Sequence, residues 1–305
     1  MDSAGNTAIA EVSRDRRRDR LYLDRDTPTA LALSDAFGAI VDYAGECAGA
    51  VAEEPVAAVH EYRKSMRRAR AVLALSRTAM AEPNFGELLD GLRRITRPTS
   101  VIRDRDVFPG LLQSMGLPAL AAVAGDEAYA PVSPAERRAV LEACAELALA
   151  MPPVFRQGMP GDGDGDILRQ GLTASYRRAR QSLRDALASG KVKDFHRFRK
   201  RTKELGYQLE LLGAGAELSR DDARWRRSYN KLATRLGAAT DRIELARHLG
   251  RHARGRKEKR LVRKLRKRGK KLAREELRSA RPYFAAKPKK FARRALRRLA
   301  LEEAA

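Results

Sequence analysis

The sequence predicts an all-α protein, and three observations carry the prediction. Ala, Leu, Arg and Glu dominate while Val and Ile are sparse, a composition that favours helix over strand. Apolar residues recur at spacings of three and four over long stretches, as one face of a helix requires. No stretch alternates apolar and polar residues in the manner of a half-buried strand. Hydrophobic residues make up 43% of the 305, enough for a real core even with 33% charged residues, so general disorder is excluded.

The expected helices run over about 28–50, 55–80, 84–104, 133–150, 166–189, 191–213, 220–250, 256–280 and 288–302. Pro28, Pro55 and Pro134 stand near helix starts, where the missing amide costs nothing. Ser133, Asp166 and Asp194 are N-cap or first-turn residues. The uncharged run Val107 to Gly125 is long enough to suggest a membrane span. Pro109, Gly110, Gly116 and Pro118 break it, so it reads as a helix end, a turn and another segment. Gly158 to Asp166 (GMPGDGDGD) reads as a connector. As a calcium loop counted from Asp162 it fails, with Ile167 and Thr173 at the required Gly and Glu positions. The expected organisation is a basic segment 1–27, a helical half 28–157, the linker 158–166, a second helical half 167–285 and a basic helix or tail 286–305.

Cys47 and Cys144 form neither a disulfide framework nor a zinc set, and read as buried apolar residues in a reducing compartment. The N-terminus is charged early and lacks an apolar signal core, so a cytoplasmic, soluble protein is expected.

An internal repeat spans the linker. Val59–Ser76 (VHEYRKSMRRARAVLALS) aligns with Phe195–Leu212 (FHRFRKRTKELGYQLELL). His60 meets His196, Arg63 meets Arg199, Lys64 meets Lys200 and Arg67 meets Lys203. Val59, Tyr62, Met66, Ala69 and Leu73 match Phe195, Phe198, Thr202, Leu205 and Leu209 at the spacing of a packed seam. At 100° per residue the four polar positions of each copy fall within roughly 100° of arc. Each copy therefore carries an apolar face and a separate His/Arg/Lys face. Further along, Thr99–Asp104 lies opposite Leu236–Asp241 and Arg94 opposite Lys231.

This pattern resembles the CHAD domain, the conserved histidine α-helical domain. The residues that carry the likeness are His60-x-x-Arg63-Lys64-x-x-Arg67-Arg68-x-Arg70, Arg103-Asp104-x-Asp106-Val107, Tyr176-Arg177-Arg178-x-Arg180, His196-x-x-Arg199-Lys200-x-x-Lys203 and Leu236-Gly237-x-x-x-Asp241. The likeness covers about residues 28–285. It implies two pseudo-symmetric helical bundles around a central basic pore. It implies binding of inorganic polyphosphate and association with polyphosphate granules. It implies no cofactor. The expected contacts are His60, Arg63, Lys64, Arg67, Arg70, Arg94, Arg103, Arg177, Arg180, His196, Arg199, Lys200, Lys203 and Lys231. Thr99-Ser100 replaces the expected Leu-Gly pair, Gly206 stands where the first copy has Arg70, and Thr240 precedes Asp241. Some members carry an N-terminal triphosphatase domain. About 27 residues precede the first helix here, too few for that enzyme, so a binding module and not an enzyme is expected.

Single features have plainer readings. One basic stripe is ordinarily a solvated face, but two matched copies argue for a bound anion that offsets their mutual repulsion. His60 and His196 are either structural hydrogen bonders or phosphate donors. Asp104 and Asp241 are expected to orient arginines. Arg177, Arg180 and Arg184 form a third stripe, with Tyr176 as core packing beside Leu172, Ala179 and Leu183. Glu244, His248 and His252 have the helical spacing to grip a metal but lack a further strong ligand.

The formal net charge is +24, which points to a polyanion. Residues 251–305 hold 23 Lys/Arg and 5 Asp/Glu, a net of +18, whereas 1–250 net only +6. The basic 256–271 segment reads equally as an amphipathic helix on the bundle or as an extra polyanion-binding arm. Two other functions compete. One is nucleic-acid binding through the C-terminal helices, disfavoured by one Trp and no aromatic-interleaved basic motif. The other is a metal-dependent polyphosphate or triphosphate hydrolase, for which no Gly-rich phosphate loop or carboxylate cluster is visible.

Overall fold

The structure, a computed structural model, describes residues 23–115, 132–161 and 166–301. The first 22 residues, the second part of the uncharged run and the Asp-rich centre of the linker lie outside the described residues. The described chain is all-α, as the composition and periodicity require. Its helices are α1 (Thr29–Gly49), α2 (Pro55–Ser76), α3 (Glu82–Thr96), α4 (Pro98–Ser114), α5 (Pro134–Leu149) and α6 (Met151–Gly158). Then follow α7 (Ile167–Ser189), α8 (Val192–Leu212), α9 (Arg220–His252), α10 (Arg256–Ser279) and α11 (Pro288–Arg298). Among the described residues no helix is long and apolar enough to cross a membrane.

Local rules place most boundaries. Ser133 caps α5 by accepting the Glu136 amide at 3.1 Å. Gly190 ends α7 in the left-handed conformation at φ 59°, which glycine adopts without strain. Asp166 holds the N-cap position of α7 but makes no side-chain cap bond; its carboxylate pairs with Arg169.

Three expectations need correction. The helix expected over 84–104 is two helices, because Pro98 lacks an amide and its ring crowds the carbonyl a turn earlier. The second helix then runs through Pro109 instead of ending there. Pro109 lies on the exposed face, while Phe108 and Leu112 are buried against Leu245, Leu249, Val262 and Leu265, and that packing outweighs the lost bond. Third, α6 was not expected. Its two prolines stand in the first turn, where amides have no partner to lose, and Phe155 stacks on Phe37 at 4.4 Å.

In the first half α1, α3, α4 and α5 pack on α2; in the second α7, α9 and α10 pack on α8, while α11 packs on α7. The repeat helices α2 and α8 pack against one another, and α7 packs on both. One apolar core runs through residues from both sides of the linker, including Tyr62, Met66, Leu172, Tyr176, Phe198 and Leu205. Gly171 of α7 meets the Leu75 carbonyl so closely that a Cβ there would collide with it. Cys47 and Cys144 are buried and form no disulfide among the described residues.

Candidate functional site

The seam residues of both repeats are buried: Val59, Tyr62, Met66, Ala69 and Leu73 on α2, and Phe195, Phe198, Thr202, Leu205 and Leu209 on α8. Burying those faces turns the neighbouring basic stripes toward each other. Arg63, Arg67 and Arg70 of α2 and Arg199, Lys200 and Lys203 of α8 line a single cavity of about 370 Å³. Arg197, Arg201, Glu204 and Tyr207 of α8 complete the wall, with Thr96 and Ser100 from the α3–α4 corner. Eight cations thus face one carboxylate in the lining. Glu204 is engaged by Arg201 at 3.0 Å, and Arg197 reaches Asp194 at 3.6 Å. Among the described residues, Arg67, Arg70, Arg199, Lys200 and Lys203 form no ion pair.

The protonation equilibria record this crowding. Burial, reinforced by Arg67, Arg199 and Arg103, pushes Lys203 from 10.5 down to about 7. Burial, then Arg67 and Arg103, pulls Arg63 down to about 10. Arg70, Arg199 and Lys200 are also lowered, in each case chiefly by burial. Arg103 is the exception. Burial opposes its charge, but Asp241 and Asp104 outweigh the burial and raise its pKa. Its guanidinium donates to Asp104 at 3.0 Å and to Asp241 at 3.1 Å, tying α4 to α9.

The departures in the repeat acquire physical reasons. Arg63 donates from Nη1 to Thr99 Oγ1 at 2.9 Å and Ser100 Oγ at 3.0 Å, the pair that replaces Leu-Gly. Its counterpart Arg199 lies 3.6 Å from where a Cβ on Gly237 would sit, over bare backbone. Arg199 makes no hydrogen bond among the described residues, and its Nε is buried without a partner. Gly206 occupies the place of Arg70 because α9 crosses there: a Cβ would stand 2.5 Å from Asn230 Oδ1.

Several expected contacts lie outside the cavity. Arg94 and Lys231 are exposed and do not line it. Arg177 is exposed, and Arg180 donates to the Phe284 carbonyl at 3.1 Å. Tyr176 is fully buried and donates to the Tyr283 carbonyl at 3.0 Å. Lys64 pairs with Glu61 of its own helix at 3.2 Å, and His60 is exposed. His196 Nε2 lies 3.3 Å from Glu244 Oε1, although not aligned as a hydrogen bond. Burial, then Arg199 and Lys200, lower its pKa against the pull of Glu244. Glu244 therefore serves His196 and Arg247 instead of joining His248 and His252, and no cluster among the described residues has a metal-binding composition. Sequence reasoning missed Arg197 and Arg201. Their four-residue spacing beside the α8 stripe was the available signal.

The chain is thus an all-α protein in which two helices of matching basic pattern line one cation-rich cavity. The family model described as CHAD domain matches residues 32–250, and the chain belongs to that family. The fold is also that of the crystal structure of the CHAD domain from the plant Ricinus communis. That likeness has a TM-score of 0.56 and 20% identity, over 93% of this chain and 96% of that one. A comparison with curated proteins finds no match.

Proposed function

We propose that the protein binds inorganic polyphosphate in the cavity between α2 and α8 and acts as a binding module rather than an enzyme. The observation that carries this reading is the excess of unpaired cations in the lining, above all Arg199, a half-buried guanidinium whose Nε is buried with no hydrogen-bonding partner among the described residues. Desolvated cations held this close repel one another, and an anion would relieve that cost. A chain of phosphates suits the cavity because it is charged along its length and has no bases. The lining offers one aromatic ring, Tyr207, which is poor provision for stacking. One carboxylate against eight cations is a composition for holding phosphate rather than cleaving it. The same reading makes the facing repeats the two pseudo-symmetric walls of a basic pore, and places the protein in the cytoplasm at polyphosphate granules.

Competition at fixed ionic strength tests it. Long-chain polyphosphate should resist displacement by duplex DNA at equal charge, and its affinity should fall steeply with salt. Displacement by duplex DNA would overturn the reading in favour of nucleic acid. Phosphate release in the presence of Mg²⁺ or Mn²⁺ would overturn the binding-only assignment.

A further inference from the structure

We propose that the cleft between α9 and α10 is a second phosphate-chain subsite, which takes the part of a long chain that extends past the central cavity. The proposal rests on the polyphosphate reading of that cavity. The cleft has a volume of about 370 Å³ and is lined by Arg247 and Arg251 of α9 and Lys259, Arg263 and Arg266 of α10. Among the described residues no carboxylate lines it. Among the described residues Lys259, Arg263 and Arg266 form no ion pair, so their charge is available to a ligand.

These cations stand on a rigid frame rather than on a loose tail. Val262, Leu265, Gly269, Ala273 and Leu277 of α10 form a buried seam at helical spacing. Gly269 comes close enough that a Cβ would lie 3.0 Å from Ile243 Cγ1 of α9. The α9–α10 corner is fixed by Glu258, which accepts the backbone amides of Arg254 at 2.8 Å and Gly255 at 2.9 Å. Lys259, Arg263 and Arg266, at spacings of four and three, share one helix face along the cleft. A preorganised row of cations costs little further ordering when it binds.

A single carboxylate links this cleft to the central site. Glu244 lies 3.3 Å from His196 on α8 and 2.6 Å from Arg247 at the cleft. Lys200, which lines the central cavity, also feels the Glu244 charge. A chain leaving the cavity past Lys200 would therefore meet Arg247 next. Lys259, Arg263 and Arg266 lie beyond residue 250, where the family-model match ends.

Binding by the full-length protein and by the Arg263→Ala/Arg266→Ala variant tests the proposal, with tripolyphosphate and long-chain polyphosphate as the two probes. Both substituted positions are exposed, and circular dichroism would check the fold. Tripolyphosphate affinity should stay within about twofold, while long-chain affinity should fall about tenfold, with a salt slope shallower by about 1. An unchanged long-chain affinity and slope would overturn the subsite. So would an equal loss for both probes, which marks a general field rather than a second contact. If the unsubstituted protein bound neither probe, the central-cavity reading would itself be refuted, and the cleft with it.

Discussion

Replacing Lys203 with methionine should make the ligand-free protein more stable and the ligand complex weaker. Methionine keeps a similar length and apolar stem but removes the charge. Lys203 titrates near 10.5 when free and at about 7 in the folded chain, where burial comes first and Arg67, Arg199 and Arg103 follow. Between those values the unfolded state holds the proton and the folded state does not. Stability of the ligand-free protein therefore rises with pH across this window, and the deficit is fully present below about 7. The full gap corresponds to on the order of 5 kcal/mol. Water reaching the open cavity screens it, and roughly 2 kcal/mol is the expected observable. Urea unfolding at pH 7 and pH 9.5 measures it. The unsubstituted protein should gain more stability with pH than Lys203→Met does, and the variant should be the more stable of the two at pH 7. The same logic predicts that polyphosphate binding at pH 8 takes up protons, detected by calorimetry in two buffers of different ionisation enthalpy. A variant less stable at pH 7, with an unchanged pH dependence, would refute the reasoning.

Other substitutions separate binding from folding. Arg199→Ala should cut the polyphosphate-induced rise in Tm sharply while the ligand-free Tm holds or increases, read by thermal shift with and without ligand. Arg137→Ala should destabilise by about 3–5 kcal/mol, because it strands Asp106 from a buried pair at 2.5 and 2.8 Å; chemical denaturation measures the loss. Gly171→Ala should cost about 1–3 kcal/mol, since α7 must move off the Leu75 carbonyl, and its salt slope for polyphosphate should stay unchanged.

Part of the site was legible because helical periodicity is a local property. Matching His60–Arg67 to His196–Lys203 was enough to expect two basic faces. It could not tell which cations meet. Arg63 and Arg199 occupy equivalent repeat positions, yet hydroxyls hold Arg63 while Arg199 has no such bond. Arg103 belongs to the motif, yet Asp104 and Asp241 already neutralise it. Arg94 and Lys231 match the register, Arg177 belongs to the third stripe, and all three still face solvent. The split at Pro98 follows from proline chemistry, whereas continuation through Pro109 depended on a core supplied by α9 and α10.

By itself, then, the sequence determined the helical class and the matching basic patterns on α2 and α8, because each depends on residue type and spacing along one chain. Tertiary structure decided that those faces meet in one cavity and that the C-terminal charge has two different placements. Part of it borders the α9–α10 cleft, while α11 packs on α7, where Phe291 stacks on Tyr176 at 3.9 Å. The physical reason is that charge density and unsatisfied donors depend on distances between helices. Those distances come from the packing of apolar seams, Gly237 beside Arg199 and Gly269 beside Ile243, over separations that no local pattern records.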